Sequence, residues 1–258
     1  MWNLTPTMTA KLDSDGVLTI RTTQTSELMP EYSSYYDIPG YVVPARVHYY
    51  DVPWYDVRSS IRSVIIDDNV ASIGNSAFCD PDGGYSNLTS VIIGNSVQSI
   101  GDNAFENCKG LISLTIPDST TFIGYSAFKG CEQLTTVLFG NSLRVISDNV
   151  FEGCKRLPSV SFPGSLISIG HNAFEDCSAF TAVCIPGSVK YIEYRAFWNC
   201  CNLKDVTVAW DIPLIVRMDV FEGVNTSKLT LHIPKGTKAL YQAADVWKTF
   251  GTILDDIT

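Results

Sequence analysis

Apolar and polar positions along the chain follow one unit that recurs every 23 residues. Phenylalanines that follow a small residue mark it: Phe78, Phe105, Phe128, Phe151, Phe174, Phe197 and Phe221, with steps of 27, 23, 23, 23, 23 and 24. Five residues before each stands Ile73, Ile100, Ile123, Ile146, Ile169, Ile192 or Val216, and Ala or Val directly precedes each ring. Alternating apolar triplets begin at Val64, Val91, Leu114, Val137, Val160, Val183, Val206 and Leu231. Period-two alternation predicts strands whose first and third residues face a core while the middle residue faces out. Gly94, Pro117, Gly140, Pro163, Pro186 and Pro234 stop these strands.

A unit of 23 residues cannot bury its own apolar side, so it stacks on its neighbours. Equivalent strands on stacked turns pair in parallel, and eight of them span roughly 35–40 Å. The spacing predicts one parallel β-sheet, with the Ala-Phe-x-x-Cys stretch forming a helical or 3₁₀ turn opposite. The ends of such a solenoid need covers. Residues 1–60 lack the repeat and are expected to form an N-terminal cap packed on the solenoid. They contain a strand, Val17-Leu18-Thr19-Ile20, and a segment from Tyr32 to Tyr55 holding seven of the 12 tyrosines. Residues 61–236 are expected to form the solenoid of about eight turns. Residues 237–258 then make a capping helix and tail, with Thr237 as N-cap, Leu240, Ala243, Ala244, Trp247 and Phe250 on one face, and Gly251 as the stop. Asp80-Pro81-Asp82-Gly83-Gly84 lengthens the first full repeat as a loop.

The recurring Ser-Val-x-x-Ile-Gly-x-x-Ala-Phe-x-x-Cys-x-x-Leu-x-x-Val-x-Ile-Pro, as in 96–117, resembles the BspA-like leucine-rich-repeat family over about residues 60–236. Lead-in Gly16–Ile20 with Pro53-Trp54-Tyr55, and the closing 235–250, resemble the segments that flank the repeats in such proteins. The resemblance implies an α/β repeat: a right-handed leucine-rich-repeat solenoid. It also implies a secreted or cell-surface bacterial protein that adheres to host proteins or other cells. The segment Met1–Thr5 has neither a basic nor an apolar leader region, so no signal peptide is read there and the compartment rests on the resemblance.

Net charge changes the picture by exclusion. With 18 Lys and Arg against 27 Asp and Glu, the chain carries −9 and has no basic stripe, so nucleic acid is not a partner. No run approaches 18 apolar residues, and no transmembrane segment is predicted.

Five of the eight cysteines, Cys108, Cys131, Cys154, Cys177 and Cys200, share one register of the repeat. Parallel inward side chains in a line do not converge on a metal, and an odd number cannot pair completely. They read as a buried, reduced structural ladder. Cys184, at a strand middle, is expected to be the reactive one. Asp13-Ser14-Asp15-Gly16 and Asp80-Pro81-Asp82-Gly83 read as turns, since both lack the remaining ligands of a calcium loop. No metal or cofactor is expected.

Catalysis finds no footing in the pattern. A glycosidase pair needs carboxylates within roughly 5–10 Å. The sixteen outward strand positions hold one acid, Asp205, and no Lys or Arg. His48, His171 and His232 are scattered, and His232 reads as a solvated imidazole. The same face suits contact, being uncharged, hydroxyl-rich and punctuated by apolar residues. The expected ligand-binding residues are Ile65, Ile92, Thr115 and Leu138 with Tyr49, Tyr50 and Tyr55, and the expected partner is a host extracellular or cell-surface protein, or a glycan. A carbohydrate-binding or carbohydrate-active β-solenoid, and a structural spacer in a larger surface protein, are the alternatives.

Overall fold

A computed structural model describes residues 1–31, 52–79 and 85–257. Two sheets stand where the sequence predicts one. The larger, of 12 strands, begins with β1 (Trp2–Asn3), β2 (Met8–Leu12) and β3 (Val17–Thr22), which pair antiparallel as a meander. From β3 onward every pairing in it is parallel: β5 (Ser63–Ile66), β7 (Ser90–Ile92), β9 (Ser113–Thr115), β11 (Thr136–Leu138), β13 (Ser159–Ser161), β15 (Ala182–Ile185), β17 (Asp205–Val208), β18 (Thr230–Pro234) and β19 (Thr252–Ile257). The smaller sheet, of seven strands, is wholly parallel. It stacks β4 (Glu27–Leu28), β6 (Val70–Ile73), β8 (Ser99–Ile100), β10 (Phe122–Ile123), β12 (Val145–Ile146), β14 (Ser168–Ile169) and β16 (Tyr191–Ile192). Most of its strands are two residues long, too short for an alternation to show in the sequence.

Between the sheets the chain makes tight turns, not the helical turn expected for Ala-Phe-x-x-Cys. The cause is local. Two residues before six of the seven Phe the backbone is left-handed, at Ser76, Asn103, Ser126, Asn149, Asn172 and Arg195. Two residues after, it is left-handed again, at Asn107, Gly130, Gly153, Asp176 and Asn199. Asn, Asp and Gly tolerate that region best, and two such residues within five prevent any helix.

The core is a phenylalanine stack. Phe78, Phe105, Phe128, Phe151, Phe174, Phe197 and Phe221 follow one another at centroid distances of 4.9, 5.3, 5.7, 5.4, 5.5 and 5.6 Å, with nearly parallel planes. Trp54 extends the stack at the N-terminal end, 5.5 Å from Phe78, and donates its indole N–H to the Ala77 carbonyl. At the other end Trp247 and Phe250 meet Phe221 edge-on, at 6.1 and 5.6 Å.

The C-terminal cap differs from the predicted helix. α1 runs only Lys238–Ala243, followed by a 3₁₀ turn at Trp247–Thr249 and by β19. In an unbroken helix Tyr241 and Phe250, nine residues apart, would face opposite ways. Breaking it lets both bury, and Trp247 donates to the Leu214 carbonyl. Thr237 does not cap the helix; its hydroxyl donates to the Pro234 carbonyl instead.

Candidate functional site

The outward face of the larger sheet is built by register alone. Thr19, Ile65 and Ile92 are neighbours on successive strands, and Thr115, Leu138, Ser161 and Cys184 continue the row, followed by Thr207, His232 and Leu254. Their flanking residues point inward: Val64, Val91, Leu114, Val137, Val160, Val183, Val206 and Leu231 are all buried. Ile92 and Leu138 are 55% and 58% exposed, Thr115 is exposed, and Ile65 is half-buried.

A second row, Ser63, Ser90, Ser113, Thr136 and Ser159, lies beside the first on the same strands. Thr89, Thr135 and Thr181 each donate a hydroxyl to a carbonyl one turn back, Arg62, Ile112 and Pro158, at 3.2, 3.1 and 3.2 Å. Ile112, in the turn that leads into β9, is also exposed. The alternating triplets do not include it, although an isoleucine where neighbouring turns carry Thr is a signal readable in the sequence. The first turns thus present isoleucine and leucine among fixed hydroxyls, with the exposed Arg62 one turn back from Thr89 and with Arg21 3.7 Å from Asp67.

Tyr55 opens a 3₁₀ turn, Tyr55–Ser60, half-buried against the core with the Arg58 guanidinium 3.6 Å over its ring. Tyr49 and Tyr50 lie outside the described residues, as do Tyr32, Tyr35, Tyr36 and Tyr41.

Cys108, Cys131, Cys154, Cys177 and Cys200 are buried, and each thiol donates to a Phe carbonyl of the preceding turn at 3.2–3.4 Å. Burial pushes the thiols of Cys131, Cys154, Cys177 and Cys200 well up. Cys79 is buried too, its thiol 3.6 Å from Glu106. Cys184 and Cys201 are exposed, and partial burial raises the Cys184 thiol above its ordinary value.

At the C-terminal end of the face, β19 brings Asp256 beside His232, Oδ2 to Nδ1 at 2.9 Å, while Asp205 approaches Nε2 at 3.8 Å. The imidazole is therefore held rather than idle. No hydroxyl or thiol is hydrogen-bonded to its other nitrogen, so among the described residues a nucleophile–base pair is not formed. Nor do the described residues bring together three His, Cys, Asp or Glu placed to hold a metal ion.

On the turns, Lys129 pairs with Glu152 at 2.9 Å. Glu175, one turn further, is pushed up to about 7 by burial and by the like charges of Glu152 and Asp176. At the N-terminal edge, hydroxyls of Thr22, Thr5 and Thr7 hold the Glu27 carboxyl below its usual value.

No described helix is long and apolar enough to cross a membrane. Among solved structures, the chain is similar to a leucine-rich-repeat protein of T. pallidum, with 22% identity, a TM-score of 0.49, and 90% of this chain and 81% of that one covered. A leucine-rich-repeat protein of Bacteroides ovatus gives 20%, 0.40, and 90% and 70%. A leucine-rich cell-surface protein of Faecalibacterium prausnitzii gives 18%, 0.30, and 100% and 95%. None of the curated proteins matches the sequence. The BspA type leucine rich repeat region matches in six copies, over residues 54–139 and 84–204, which is more than half the chain. Those matched residues carry the buried Ile, Phe and Cys ladders described above, and by them the chain belongs to the BspA-type leucine-rich-repeat family.

Proposed function

We propose that the chain is a non-catalytic, extracellular protein-binding module, secreted or held at a bacterial surface, that acts as an adhesin toward host proteins or other cells. The observation that carries this reading is the outward face of the first turns, with Ile92, Ile112 and Leu138 exposed on a backbone fixed by parallel pairing. Exposed apolar side chains on a rigid sheet desolvate at low cost, and the hydroxyls around them supply directional bonds at the rim. Binding by leucine-rich-repeat domains in general supports the choice of a protein partner. His232, held between Asp256 and Asp205 with no hydroxyl or thiol bonded to it among the described residues, supports the non-catalytic half of the reading.

The test is a surface-plasmon-resonance panel of immobilised extracellular-matrix proteins, run with the wild type and with I92S/L138S. Binding by the wild type, lost at least tenfold in the variant with an unchanged melting temperature, is the expected result. Turnover of any polysaccharide in a parallel glycosidase panel, or binding that the double variant leaves intact, refutes it.

A further inference from the structure

The outer side of the smaller sheet carries side chains that the fold does not require. The position just before each buried isoleucine is Ser99, Phe122, Val145, Ser168 and Tyr191 on successive strands, in register. Phe122 is 41% exposed and Tyr191 57%. Two residues past the isoleucine, a second row holds Asp102, Tyr125, Asp148, His171 and Tyr194, with Tyr125 and His171 also exposed. An open groove of 510 Å³ lies between the middle members of the two rows, lined by Phe122, Tyr125, Asp102, Asp148, His171 and Glu193, and the exposed Tyr191 stands on the next strand, beyond that lining.

The carboxylates here are preset. Asp102 Oδ1 accepts the Tyr125 N–H and Asp148 Oδ1 accepts the His171 N–H, both at 2.8 Å. That arrangement fixes each side chain to the next turn, and no hydrogen bond or ion pair among the described residues reaches either Oδ2. Each Asp therefore offers an oriented acceptor whose ordering is already met by the fold. Exposed aromatic rings beside oriented carboxylates suit a ligand with an apolar face and hydroxyl edges: the C–H face of a pyranose stacks on the ring and its hydroxyls donate to the carboxylates. The strand step of about 4.8 Å is close to the length of one sugar in an extended chain, and Phe122 to Tyr191 spans three such steps. Asp102, Asp148 and Glu193 make the lining itself acidic, which turns anionic ligands away. Arg144 and Lys190, exposed and without an ion pair among the described residues, directly precede Val145 and Tyr191, so the surroundings of the groove carry both signs.

We propose that this groove is a second binding site, for a neutral, extended oligosaccharide of β-linked pyranoses running along the stack of turns. It lies on the other sheet from the protein-docking face and does not depend on it. Isothermal titration of the full chain with cellohexaose and xylohexaose tests it, with maltohexaose as the bent control and hexalysine as the cationic one. Saturable binding of a β-linked hexasaccharide is expected, weakened at least tenfold by F122A/Y191A. D148N, which keeps the acceptor for the His171 N–H and replaces the free oxygen, should weaken it with the melting temperature unchanged. I92S/L138S should leave it intact, which separates this site from the protein-docking reading. Absence of binding by both β-linked sugars at ~1 mM overturns the proposal. So does binding that F122A/Y191A leaves unchanged, or hexalysine binding more tightly than either sugar.

Discussion

Replacing Phe151 with Ala tests whether the phenylalanine stack couples the two ends of the molecule. The ring is fully buried, lies 5.7 Å from Phe128 and 5.4 Å from Phe174, and meets Phe139 edge-on at 5.9 Å. Loss of ring burial removes about 1.5–3 kcal/mol. Two stacked neighbours add about 0.5–1.5 kcal/mol each. The sum agrees with the ~3–5 kcal/mol that Phe→Ala substitutions cost in well-packed cores. Collapse cannot relieve it, because each flanking ring is held by its own turn, Phe128 donating its N–H to the Val150 carbonyl and Phe174 to that of Ala196. A solenoid transmits stability only through adjacent repeats, so a gap at its centre also weakens the coupling between halves. The tryptophans can report the two ends separately: Trp2 and Trp54 lie before the stack, Trp198, Trp210 and Trp247 near its end, and none between. Urea unfolding followed by fluorescence of W2F/W54F and of W198F/W210F/W247F, each combined with F151A, should give midpoints that separate, where the Phe151 parents coincide. A stability loss below about 1.5 kcal/mol would refute the claim that these rings form one continuous core.

Further outcomes follow from the same geometry. Thiol labelling of native protein should modify Cys184 and Cys201 but spare the five ladder cysteines until unfolding; rapid modification of Cys131 or Cys154 contradicts the burial described. Gly153 has φ +71°, and a methyl added there would meet only Gly130 backbone, no nearer than 3.8 Å, so G153A should cost about 1–2 kcal/mol through backbone conformation alone, and a neutral result in a urea melt would be fatal to that account. Glu175 binds its proton more tightly in the folded state, at about 7 against 4.5 when unfolded, so its contribution opposes folding above pH 7 and relaxes as pH falls toward 4.5. E175Q should therefore raise the urea midpoint at pH 8 more than at pH 5; equal shifts at both would show that this carboxyl does not titrate there. Glu27 has the opposite sign, its lowered value giving stability that is present above pH 4.5 and lost as pH falls through the folded value.

The repeat makes the core legible, since residues five apart, Ile146 and Phe151 for example, can recur at 23 only if every turn buries the same pair. The outward row is legible for the same reason: once Val91 and Leu114 face in, Ile92 and Thr115 face out. The smaller sheet is not, because a strand such as Ser168–Ile169 shows one outward and one inward residue and no period. The helical reading of Ala-Phe-x-x-Cys fails on Asn149 and Gly153, whose left-handed backbone is a readable signal in the Asn and Gly themselves. Trp54, 24 residues before Phe78, resembles part of a lead-in, although its spacing marks it as the first ring of the stack. Phe122 and Tyr191, aromatic where Ser99 and Ser168 stand, have no pattern to announce them beyond that contrast.

Because each Phe meets its successor as it meets its predecessor, the molecule has no privileged length. Deleting residues 129–151 would join Phe128 to Glu152 and regenerate Phe-x-Gly-Cys without a seam, shortening the rod by one strand step of about 4.8 Å. Unequal recombination between such units yields shorter or longer chains whose interiors still close, while the residues on the two outer faces are reshuffled. Reach and surface can thus vary between generations without the interior having to be reinvented.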